Sequence, residues 1–93
     1  MLLEGLGYLI LAETYYQMNL LDSAVYPASL GFYLLDQKQA PELRQIQNLI
    51  TVLRNRLESQ HFFLILAQKK AEIKARIGLE GFEYVEQELK SIQ

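Results

Sequence analysis

The residues able to do chemistry are few and poorly spaced for it. His61 is the sole histidine and there is no cysteine, so neither a zinc tetrad nor a thiolate centre can be assembled. Ser23, Ser29, Ser59 and Ser91 have no base in sequence reach to activate them. Glu80, Glu83 and Glu86 recur every third residue. Paired carboxylates can share acid–base work, but at this spacing they read as the solvated side of a helix. The glycines of "EGLG" (Glu4 to Gly7) and "GLEG" (Gly78 to Gly81) lack the spacing of a phosphate loop. The sequence therefore predicts no catalysis, no cofactor and no metal.

Charge offers a second kind of chemistry. Net charge is −2, but it is segregated: residues 1–37 hold four acids and no base, residues 38–77 eight bases and three acids, residues 78–93 four acids and one base. Arg54, Lys69, Lys70, Lys74 and Arg76 form a candidate basic patch able to neutralise phosphates. The acidic chain as a whole argues against it, so nucleic acid is the weaker reading. The alternating layout suits protein partners or a second copy of the chain.

These groups are carried almost entirely by helices. Apolar residues recur at three and four rather than two, and β-branched residues are sparse. The spacing predicts an all-α, single domain over 1–93 with about five helices: a hairpin over 1–35, a second hairpin or one long helix over 41–77, and a closing helix over 79–92. In the first helix, Leu2, Leu6, Leu9 and Ile10 form one stripe and Tyr8, Leu11, Tyr15 and Met18 another. A helix apolar nearly all round is contacted on more than one side. Asp22 is the expected cap of the second helix, and Pro27 should kink it or delay its start. Pro41 suits the first position of the third helix. There Leu43, Ile46, Ile50, Leu53 and Leu57 make a heptad seam. A break is expected near Ser59–His61, where the apolar register shifts, and Gly78 should end the fourth helix.

Tyr8, Leu11, Ala12, Tyr15, Asn19, Leu21, Ala24 and Leu34 follow the size pattern of one tetratricopeptide repeat. The hairpin 1–35 thus resembles that family, with an alanine at position 28, where the family prefers an aromatic, and no recurrence one repeat later. The pattern has a physical sense: Tyr8 and Tyr15 are knobs, and Ala12, Ala24, Ala28 and Gly31 the holes. The resemblance implies an α–α superhelix of antiparallel hairpins, as against a plain helical bundle. It also implies a scaffold binding a protein or peptide along a concave face carrying Leu6, Leu9, Glu13, Tyr16 and Gln17. The alternative is a homo-oligomer in which the first helix, the heptad seam and Phe62–Leu66 pair across a dimer, or meet helices upstream. "MLLEGLGYLILA" is too short to cross a bilayer and lacks the basic start of a secretory signal, so a cytoplasmic location is expected by default, with no membrane partner.

Overall fold

In a computed structural model the backbone of residues 2–92 and the side chains of residues 3–92 are described; the part of the first stripe that rests on the Leu2 side chain lies outside them. The described chain is all-α: α1 (Leu2–Gln17), α2 (Leu21–Gln37), α3 (Leu43–Leu57), α4 (Ser59–Gln68) and α5 (Lys70–Ser91). The central element is α2, which touches each of the other four.

The first two helices end in the same way. Asn19 adopts a left-handed φ of 62°; its amide donates to the Tyr16 carbonyl and that of Leu20 to the Tyr15 carbonyl. Gln39 (φ 49°) repeats the arrangement, with its amide on Asp36 and the Ala40 amide on Leu35. Both are Schellman turns, which satisfy the last carbonyls of a helix and reverse the chain. Asn19 was legible as a turn residue, whereas Gln39 carries no such signal.

Four sequence expectations need correction. α2 begins at Leu21 and runs through Pro27 to Gln37, so Pro27 neither delays it nor ends it, and Asp22 sits in the first turn without capping. The proline lies inside the core-facing half of the helix, where packing on α1, α3, α4 and α5 offsets one absent backbone bond. Pro41 belongs to a turn closed by the Leu43 amide on the Ala40 carbonyl, and α3 starts at Leu43. The break between α3 and α4 falls at Glu58 (φ 68°, ψ 142°), a conformation that favours glycine. A continuous helix over 41–77 would be about 55 Å long, twice the 28 Å longest dimension of the fold.

The fourth helix, expected to end at Gly78, instead ends at Gln68: the Lys69 amide reaches the carbonyls of both Ile65 and Leu66, and α5 starts at Lys70 and runs past Gly78. Gly78 (φ 81°, ψ 168°) then bends α5 into two limbs. The bend folds Ile77 over Gly81, where a Cβ would lie 2.9 Å from the Ile77 Cβ.

The core joins Leu9 and Ala12 of α1 to Ala24, Val25, Ala28 and Phe32 of α2, and these to Ile46, Ile50, Phe62, Leu66, Ile73, Phe82 and Leu89. α1 and α2 pack most closely at two glycines. A Cβ on Gly5 would lie 3.1 Å from Leu35 Cδ2, and one on Gly31 would lie 3.2 Å from the Tyr8 Cβ and 2.6 Å from Ile46 Cδ1. Ala12, Ala24 and Ala28 are wholly buried, while Tyr8 and Tyr15 are only half-buried. The small residues thus bring the helix backbones together, and the tyrosines lie along the edge of that contact.

A candidate partner groove between the first and third helices

A groove of about 300 Å³ runs between α1 and α3, lined by Glu13, Tyr16 and Gln17 from one side and Gln45, Asn48, Leu49 and Val52 from the other. Its geometry follows from helical periodicity. Residues 9 and 12 of α1 point into the core, and residues 13, 16 and 17 come next around the helix. On α3, Ile46, Ile50 and Leu53 are buried, which leaves 45, 48 and 52 beside the groove.

Two polar ties fix its walls. Gln45 Nε2 donates to Glu13 Oε2 at 2.6 Å. Arg56 lies over the Tyr16 ring, 5.6 Å from its centroid, and its Nη2 donates to Asn19 Oδ1 at 3.1 Å. A cation over an aromatic face is held electrostatically, so Tyr16 is oriented before any ligand arrives. The result is an apolar strip (Tyr16, Leu49, Val52) bordered by amides and one carboxylate. Such a surface can take an apolar side chain and hydrogen-bond the backbone or amides beside it.

Of the five residues predicted for a binding face, Glu13, Tyr16 and Gln17 meet in this groove. Leu9 does not: it is buried against α2. Leu6 is half-buried against the core and outside the groove. The α3 wall was missed, because Gln45, Asn48 and Val52 flank an apolar seam and look like any helix flank in sequence.

The predicted basic patch divides. Arg54 turns inward: its Nη1 donates to the Leu89 carbonyl at 2.6 Å, and its Nε is buried without a partner. A guanidinium there complements the negative end of α5. Lys69 lies 3.6 Å from Glu72 and 6.0 Å from the Tyr26 centroid, and Lys70 lies 5.5 Å from the Phe82 centroid. Lys74 and Arg76 are exposed on the first limb of α5. Arg54 is thus separated from the other four, which lie at the α4–α5 junction and along the first limb of α5.

Much of the dimer surface predicted on α3 and α4 is likewise used internally, although Leu43, Leu57 and Phe63 are half-buried and Leu64 is exposed. Ile46, Ile50, Leu53, Phe62 and Leu66 are buried within the chain. His61 lies at the surface with Nε2 3.4 Å from Asp22 Oδ1. Among the described residues no group of three or more His, Asp or Glu side chains is placed to hold a metal ion, and no helix is long and apolar enough to cross a membrane.

One perturbed group stands apart from the groove. Tyr84 donates to Asp36 Oδ2 at 2.5 Å and stacks edge-on against Tyr33, with centroids 6.3 Å apart. The hydrogen bond to the Asp36 carboxylate, with some desolvation and the nearby negative charge, pushes the Tyr84 phenol up to about 12. The pair ties the end of α2 to the second limb of α5. No protein-family model matches this chain, and no curated protein or solved structure is significantly similar to it.

Proposed function

We propose that the chain is a non-catalytic protein-interaction module of tetratricopeptide-repeat type, which holds a peptide segment of a partner protein along the groove between α1 and α3. One observation carries the reading: the groove gathers Glu13, Tyr16 and Gln17 beside the apolar strip Leu49–Val52. In a stack of helical hairpins the first helices of neighbouring hairpins line the concave surface, and a groove between the first and third helices of this chain supports that reading. Tyr16 is the anchor, because an aromatic ring already oriented by Arg56 contributes contact area at little cost in rotamer freedom. The amides of Gln17, Gln45 and Asn48 suit the backbone of an extended or helical segment, and the lack of lysine or arginine on α1 argues against a segment read by its terminal carboxylate.

The test is selection from a displayed peptide library against the purified chain, followed by titration of the selected peptides. Peptides that bind the wild type and lose at least about tenfold in affinity (~1.4 kcal/mol) to both Tyr16→Ala and Val52→Lys support the proposal. An unresponsive library, or peptides indifferent to both substitutions, refutes it.

A further inference from the structure

Among the described residues, the face of α1 turned away from α2 is apolar and uncovered. Leu3 is 79% exposed, Ile10 62%, Met18 60% and Leu11 40%, and with Gly7 and Thr14 they fall on one side of the helix at 100° per residue. The Thr14 hydroxyl donates to the Ile10 carbonyl at 2.8 Å, so it needs no partner outside the helix. Glu4 borders the stripe beside Gly7 and Leu11, and no charged residue lies within it.

Its order of sizes is symmetric. Leu3, Gly7, Ile10, Leu11, Thr14 and Met18 read large, small, large, large, small, large. Turned end for end about a point between Ile10 and Leu11, Leu3 comes level with Met18 and Gly7 with Thr14, while Ile10 and Leu11, on opposite edges of the stripe, each lie beside their own counterpart. Small residues then fall level with small ones on both sides of the centre, where two identical helices can approach closely, and the two-fold repeats each contact. The same reversal brings Glu4 level with Gln17 and Glu13 level with Tyr8, so no carboxylate lies level with another.

Gly7 supplies an independent observation. Gly5 and Gly31 are demanded by close neighbours, but a Cβ on Gly7 would meet nothing within 4 Å, and its φ is not among the positive ones. Glycine within a helix costs about 1 kcal/mol of propensity, and no contact among the described residues offsets it. A second helix crossing there does, since glycine lets helix backbones approach.

We infer that two copies of the chain pair antiparallel through the outer face of α1, with the two-fold axis between Ile10 and Leu11. The exposed stripe offers roughly 400–500 Å² of apolar surface per copy, at the size that marks an interaction site. Two such stripes together approach about 1,000 Å², the lower bound for a specific interface, so the dimer is expected at the weak end of the range. This inference does not depend on the groove, which opens on a different side of α1.

The experiment is sedimentation equilibrium of the full chain up to about 100 µM, a range that resolves a micromolar dimer, with cysteine cross-linking to read the orientation. The wild type is expected to dimerise. Ile10→Lys, with unchanged circular dichroism, is expected to be monomeric. Gly7→Leu is expected to weaken the dimer at least about tenfold while raising the melting temperature of the isolated chain. Because the protein has no cysteine, Leu3→Cys combined with Met18→Cys should oxidise to a covalent dimer. Leu3→Cys alone should not, since the two copies of residue 3 would lie about 22 Å apart. A monomeric wild type, a dimer indifferent to Ile10→Lys, or efficient cross-linking through Leu3→Cys alone would each overturn the inference, whether the face is then covered by another protein or by none.

Discussion

Gly31→Ala, read against Ile46→Val, tests the packing that sets α1, α2 and α3 relative to one another. In an isolated helix the first substitution stabilises by about 1 kcal/mol, because alanine is the better helix former. In this fold the new methyl would lie 2.6 Å from Ile46 Cδ1 and 3.2 Å from the Tyr8 Cβ. Ile46 is wholly buried, so its Cδ1 has no solvent to swing into, and overpacking of this kind costs about 1–3 kcal/mol. The expected net effect is a loss of about 1 kcal/mol. Ile46→Val alone removes the opposing methyl and costs about 0.5–1.5 kcal/mol through the cavity it leaves. In the double variant the added methyl fills the space of the removed one, and the propensity gain remains. The double variant should therefore be close to wild type, with a coupling energy of at least about 1 kcal/mol where independent sites would simply add. Urea unfolding followed by circular dichroism measures all four proteins, provided the transition is two-state. Additivity within about 0.5 kcal/mol, or a Gly31→Ala protein more stable than wild type, would show that the three helices do not converge on this point.

Three further outcomes are expected. Glu58→Gly should stabilise by up to about 1 kcal/mol, since relief of a strained φ outweighs the extra freedom of glycine in the unfolded chain; Gly78→Ala, at φ 81°, should destabilise, and equal signs in thermal melts would contradict the strain argument. Tyr84 has a folded pKa raised from 10.0 to about 12, so its contribution is complete below pH 10 and is lost as pH rises towards 12. Tyr84→Phe should flatten that alkaline loss and remove a late-ionising phenol from an ultraviolet titration; titration curves of the two proteins that differ by no late component would refute it. Tyr15→Ala should cost about 2 kcal/mol, below the 3–5 typical of a buried aromatic, because the ring is half-buried; Phe62→Ala, with Phe62 wholly buried, should cost more, and the reverse order would misplace the edge of the core.

The sequence by itself determined what is local. Apolar periodicity specified helices, and the bend at Gly78 was legible because glycine alone tolerates that backbone without strain. Alanines and glycines on successive helices implied a tight hairpin, and the pairing of α1 with α2 over Ala12, Ala24, Ala28 and Gly31 has that form. Tertiary structure decided whatever depends on partners distant along the chain. Glu58 takes a glycine-like conformation with nothing in its type to announce it, because the packing of α3 and α4 outweighs a local penalty. Arg54 looked like part of a surface charge and is instead spent on a carbonyl 35 residues away. Leu9 and Ile10 are neighbours of equal hydrophobicity, yet one is buried and the other open. On a helix apolar all round, only the position of the next helix settles which side becomes core and which remains to meet another molecule.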